Sequence, residues 1–329
     1  MKVASALLVL LVTCSHAFQP QPIFASRLLH SSRSPTALNI VPGDTEDLVE
    51  KIKRFFQSTP RVDADFDKMV KSIFPRSINN RKLEISVVKV LAEKGYTGEN
   101  TLLATSLCCD ELARRLEDDF VKVYGNNFNL GGLAGFPFAG NTGFGAMAAH
   151  IPDDGYCLLI YGPHVGVAKD GTVGKVERSG IALVDTCCGS AVAASNYLKG
   201  ITDGGATITS DIQSFSDFQQ GAVQELILPF GKRLSDAENR MVELPYALFT
   251  TQDLLMRTIV DAGIGGIKKG IALLGGLQIN TAPDTLDYFL PLRFGFMNNK
   301  GEIIEDLLPR IVSNGAPEEP AEDEKGEEE

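Results

Sequence analysis

The stretch TLLATSLCCDELARRLEDDFVKVY, residues 101–124, decides how the fold is read. Thr101 to Leu107 is short and apolar, as a buried strand is. Cys108-Cys109-Asp110 follows without a spacer, and Glu111 to Tyr124 then reads as a helix. The spacing predicts strand, tight junction, helix. Outward from it, Tyr156 to Tyr161 (YCLLIY) predicts a second buried strand, ended by Gly162-Pro163-His164. Short strands are expected over Thr172 to Val176 and Ile181 to Asp185, and apolar strands over Lys269 to Asn280 and Asp287 to Met297. Helices are expected over Gly189 to Leu198 and Ser235 to Ala262. Strands alternating with helices predict an α/β fold, a mixed, mostly parallel sheet flanked by helices. Gly131 to Gly145 (GGLAGFPFAGNTGFG) holds six glycines and is expected to be a loop shaped for close backbone approach. Three amphipathic segments, Asp44 to Phe56, Asp63 to Phe74 and Leu83 to Leu91, predict an N-terminal helical segment.

The two ends of the chain read differently from its middle. The first 43 residues carry no Asp or Glu. Lys2, the apolar run Ala4 to Val12 and Ser15-His16-Ala17 have the order of a secretory signal peptide, expected over residues 1–17. A run of nine residues is too short for a membrane-spanning helix. Residues 18–41 are Ser-rich and carry Arg27 and Arg33, as a transit peptide does. The pair, with Phe18 just after the expected cut, resembles the bipartite leader of plastids bounded by extra membranes. That resemblance implies import into a plastid, with the stroma as the default compartment. Residues 316–329 are an acidic tail, expected to stay solvated. Residues 42–315 remain for one domain. The net charge is −11, and no basic cluster interleaved with aromatics points to nucleic acid.

Histidine and cysteine carry the chemical information because they are scarce. Outside the leader only His150 and His164 remain, with Cys108, Cys109, Cys157, Cys187 and Cys188. An odd number of thiols, four of them in adjacent pairs, makes a poor disulfide framework. A redox dithiol lacks the usual C-x-x-C spacing. One Cys from each pair with one His supplies the three ligands of a catalytic zinc, with a fourth position open for water. Cys108 and His164 each follow the carboxyl end of an expected strand, where ligands gather in open α/β sheets. Residue type leaves open which Cys of each pair would bind. Asp110 lies two residues beyond Cys108, and Arg114 stands at i+4 from it, where an Asp–Arg pair forms readily and would keep Asp110 ionised.

The blocks SLCCDEL, GGLAGFPFAGNTGFGAMAAH, YGPHVGV, GTVGKVERSG and CCGSAVAA, in this order, resemble the limiting-CO2-inducible B/C family, which includes theta-class carbonic anhydrases. The resemblance covers roughly residues 83–290. It implies a fold related to beta-class carbonic anhydrases, a Cys-His-Cys zinc site and homodimers. Carried over, the ligands are Cys108, His164 and Cys188, with Asp110 and Arg114 as the Asp–Arg dyad. His150 lies near the site without binding metal.

The activity implied is reversible hydration of CO2 to bicarbonate and a proton in support of plastid carbon supply. Phe136, Phe138 and Phe144 are the expected apolar pocket for CO2. His150 is the candidate proton shuttle. Two readings stand beside it. A non-catalytic zinc-containing member would act as a partner protein in a carbon-concentrating assembly. A thiol redox protein would use Cys108/Cys109 or Cys187/Cys188.

Overall fold

The segments Thr101–Ser106, Tyr156–Tyr161 and Gly270–Asn280 are buried at nearly every position, so both of their faces are covered. They pair with one another in parallel and form the centre of the sheet. The computed structural model describes residues 63–202 and 217–312. Its strands are β1 (Ile78–Asn79), β2 (Thr101–Ser106), β3 (Asn127–Asn129), β4 (Tyr156–Tyr161), β5 (His164–Gly166), β6 (Lys175–Val176), β7 (Asp185–Thr186), β8 (Gly270–Asn280), β9 (Tyr288–Asn298) and β10 (Ile303–Asp306). The main sheet runs β1-β9-β8-β4-β2-β3, with β10 on β9 and β5 on β8. Pairings from β3 to β8 are parallel, whereas β9 is antiparallel to β8, β1 and β10. The sheet is therefore mixed and mostly parallel.

The helices are α1 (Ala64–Ile73), α2 (Asn80–Ala92), α3 (Arg114–Tyr124), α4 (Gly140–Ala149), α5 (Gly189–Thr202), α6 (Phe218–Ile227), α7 (Gly231–Asp236), α8 (Arg240–Gly263) and α9 (Leu308–Val312). Alternate strand residues feed two apolar clusters. Leu103, Leu158, Ile160 and Leu274 join α2, α3 and α5 on one face. Ala104, Leu159, Tyr161 and Leu273 join α1, α4 and the distal part of α8 on the other. Leu158, Leu159 and Ile160 are fully buried, each worth about 1.5–3 kcal/mol relative to exposure. Among the described residues no helix is long and apolar enough to cross a membrane.

Several local expectations need correcting. The Gly-rich block is not all loop, because Gly140–Ala149 is helical and buries Phe144, Met147 and Ala148. Burying one face compensates for the low helix propensity of its glycines. Residues 181–186 are exposed, and only Asp185–Thr186 finds a strand partner, Lys175–Val176. The long helix expected from Ser235 is interrupted before Asn239, whose side chain caps a new helix by accepting from the Met241 and Val242 amides. The segment 44–56, the leader and the acidic tail lie outside the described residues.

Candidate metal centre

The site forms at the carboxyl edge of the central strands, and each ligand arrives by a separate device. Cys108 follows β2 and is buried. His164 opens β5, which continues β4 along β8. Tyr161 faces Gly275, and three residues on along both strands His164 faces Gln278. Between them Gly162 has φ +151°, and a Cβ there would sit 1.7 Å from the Gly276 carbonyl oxygen. Only glycine permits that approach. Cys188 arrives from the ribbon β6–β7. Its neighbour Cys187 is pinned by Gly166 N–H to Cys187 O (3.0 Å) and Cys187 N–H to Gly174 O (3.0 Å). The Cys188 carbonyl accepts from Val192 N–H at the start of α5, where the helix dipole favours an anionic group.

Cys108, His164 and Cys188 are all buried, and their ligand atoms lie within 4.8 Å of one another. The two sulfurs stand 3.8 Å apart. Two thiolates at about 2.3 Å from a tetrahedral zinc would stand about 3.8 Å apart. His164 Nδ1 is 2.9 Å from Asn280 Oδ1, while its Nε2 is buried without a hydrogen-bond partner. A buried polar atom left unpaired is costly, and a metal ion would satisfy it. The Cys188 thiol and burial push the Cys108 thiol up to about 12, so a metal must displace its proton. The donor set, two soft sulfurs and one imidazole nitrogen, fits zinc. A second group of potential ligands, Asp110, His164 and Cys187, overlaps the first at His164.

Asp110 stands beside this cluster, and its carboxylate faces a guanidinium. Arg178 donates from Nη1 to Oδ1 (3.1 Å) and from Nη2 to Oδ2 (3.0 Å). Leu112 N–H also donates to Oδ1 (3.0 Å), closing the turn that starts the helical stretch. Partial burial raises the Asp110 pKa, but Arg178 and the Leu112 amide outweigh it and hold it at about 2. The i+4 partner expected from sequence is not the one used. Arg114 turns to Glu117, 2.8 Å from both carboxylate oxygens, because that residue is one helical turn along the same face.

Limiting CO2-inducible proteins B/C beta carbonic anhydrases is the description of the family model that matches residues 77–298. The chain belongs to this family. Among solved structures, PtLCIB4, a homolog of the limiting CO2-inducible protein LCIB, is 46% identical, with a TM-score of 0.68 over 73% of this chain and 98% of that one. A mutant form of PtLCIB4 is 45% identical with a TM-score of 0.69, over 74% of this chain and 98% of that one. The limiting CO2-inducible protein LCIB itself is 20% identical, with a TM-score of 0.55 over 71% of this chain and 96% of that one, and shares the fold. No curated protein matches the chain.

The other residues singled out for this family member are not all gathered at the cluster. Phe136 packs in the same apolar cluster as Cys108 and Cys188, and Phe138 packs against it with ring centroids 6.1 Å apart. Phe144 is on the opposite face of the sheet, because α4 turns it into the second core cluster. The cavity that touches both His164 and Cys188 is small, about 10 Å³, and its apolar walls are Val165, Ala191, Val192, Leu244 and Leu248. It holds roughly one water. His150 is exposed at the carboxyl end of α4, its Nδ1 2.7 Å from the Ala146 carbonyl oxygen and its ring 5.6 Å from Phe128. It precedes β4, whereas His164 follows it, so the two histidines come from opposite ends of that strand. Arg178 is the residue that sequence reasoning passed over. It lies within the GTVGKVERSG block, but only the ribbon's fold brings it across to Asp110.

Proposed function

We propose that Cys108, His164 and Cys188 hold zinc and that the chain catalyses reversible hydration of CO2 to bicarbonate and a proton. The observation that carries this reading is the pair of sulfurs 3.8 Å apart beside a buried, unpartnered imidazole nitrogen. When bound, zinc supplies a Lewis acid that lowers the pKa of water to about 7. Asp110, ionised and fixed by Arg178, accepts a hydrogen bond from the attacking water and orients it. With a pKa of about 2 it does not keep a proton at neutral pH, so its role is alignment rather than general-base catalysis. Ala191, Leu244 and Leu248 supply apolar walls beside the cluster that keep bulk water out. Phe136 backs the same cluster. His150, exposed at the carboxyl end of α4, is the proton shuttle in this reading.

The leader composition supports a plastid location, with the stroma as compartment, and the family resemblance supports a homodimer. A fluorescent fusion and light scattering test these two points. For the activity, the purified chain is expected to bind about one zinc and to hydrate CO2 in a stopped-flow assay. Cys108→Ser and His164→Ala are expected to lose both properties. Retention of zinc and activity in either variant would sink the proposal, as would zinc at full occupancy with no hydration.

A further inference from the structure

Asn280, at the end of β8, is fully engaged on its amide side. Its Nδ2 donates to the Leu112 carbonyl (3.1 Å) and to Asp287 Oδ2 (3.0 Å). Both amide hydrogens are thus used, which orients Oδ1 towards His164 Nδ1 at 2.9 Å. Asp287 is buried and held in turn. Its Oδ1 accepts from the Thr281 amide (2.8 Å), the Thr281 hydroxyl (3.1 Å) and Arg115 Nη1 (3.1 Å). Arg115 also donates to the Thr281 carbonyl (3.1 Å). An acceptor that cannot rotate requires a proton on His164 Nδ1. It therefore leaves Nε2 as the bare, unpartnered atom.

Cys187 stands on the other side of this choice. Its sulfur lies 3.4 Å from His164 Nδ1 and 3.9 Å from Asn280 Oδ1. Were Nδ1 free of its proton, it would pair with Cys187, the thiol of the second ligand group. We propose that Asn280 is a positioning residue: clamped by Leu112 and Asp287, it fixes His164 as the Nδ1–H tautomer and so selects Cys188 over Cys187 as the second thiol. This deepens the metal-site reading and rests on it. A hydrogen-bonded partner behind a histidine ligand commonly accounts for about 10–100-fold in metal affinity.

The test uses the full chain with 15N-labelled histidine, zinc-free and at neutral pH, read by NMR of the imidazole nitrogens. His164 is expected as Nδ1–H with Nε2 bare. Asn280→Leu is expected to populate the Nε2–H form and to weaken zinc binding about 10–100-fold in chelator competition. Because that variant leaves Asp287 short of a donor, the exchange Asn280→Asp with Asp287→Asn is the second arm. A carboxylate at 280 accepts from Nδ1–H, and an amide at 287 donates to it, so tautomer and most of the affinity return. Cys187→Ser keeps zinc and Cys188→Ser loses it. Finding Nε2–H in the wild-type protein, or unchanged affinity in a folded Asn280→Leu variant, overturns the proposal. Correct tautomers with no CO2 hydration would instead count against the proposed activity alone.

Discussion

Arg178 meets Asp110 with both terminal nitrogens of its guanidinium, 3.1 and 3.0 Å from the two carboxylate oxygens. The pair joins the β6–β7 ribbon to the junction after β2. It is largely shielded, with side chains 11% and 16% exposed. A bidentate pair of this kind fixes direction as well as charge.

Arg178→Gln is therefore expected to lower CO2 hydration about 10–100-fold, the range for losing a positioned polar group. Arg114→Gln is expected to leave it near the wild-type rate, since Arg114 serves Glu117. Stopped-flow rates on the two variants side by side check this.

The same clamp has a pH signature. Because the folded pKa of Asp110 is depressed to about 2, its stabilising contribution is present above the unfolded value near 4 and is lost as pH falls through 2. In Arg178→Gln the carboxyl protonates at higher pH, so the acid limb of the urea-unfolding profile shifts upward. A profile measured from about pH 2 to 6 that overlays the wild-type curve would contradict this.

Zinc uptake should be proton-coupled. The Cys108 thiol, pushed up to about 12 by Cys188 and burial, must lose its proton before it binds. Apparent zinc affinity is expected to rise by about tenfold or more per pH unit between about pH 6 and 8. Calorimetry in buffers of different ionisation enthalpy counts the protons released.

Gly162→Ala tests how the strand delivers His164. Its Cβ would meet the Gly276 carbonyl oxygen at 1.7 Å, backbone against backbone, so the strands must part. The expected cost is about 3 kcal/mol, with reduced zinc content because His164 moves with the strand. Denaturant unfolding and metal analysis measure the two effects.

Tyr161→Phe probes the support one residue earlier. The Tyr161 hydroxyl donates to Asp253 (2.7 Å), which also pairs with Arg293 (2.8 Å) and Arg257 (3.0 Å). Removing a buried hydrogen bond to a carboxylate is expected to cost about 1.5–3 kcal/mol without removing the metal. Thermal unfolding gives the cost directly.

The strands with two apolar faces were legible because burial on both sides leaves a continuous apolar run. Tyr156–Tyr161 and Gly270–Leu277 show it plainly, and Leu102 to Ala104 more briefly. The helix Gly140–Ala149 was not, since tertiary burial of Phe144 and Met147 overrides the weak propensity of its glycines. The stretch 181–184 looked like a strand because its residues are apolar, yet strand formation needs a partner edge and none is offered.

The sequence alone determined which residue types could hold a metal. Two histidines and two cysteine pairs outside the leader left a short choice, and the ordered blocks pointed to Cys108, His164 and Cys188. Only the tertiary structure decided which residues stand behind them. Arg178 reaches Asp110 from 68 residues away, and Asn280 reaches His164 from 116. Local spacing reports neighbours along a helix or strand, so Arg114 was the natural partner to expect. Side chains on different elements meet by sheet register and ribbon placement, which no local periodicity encodes.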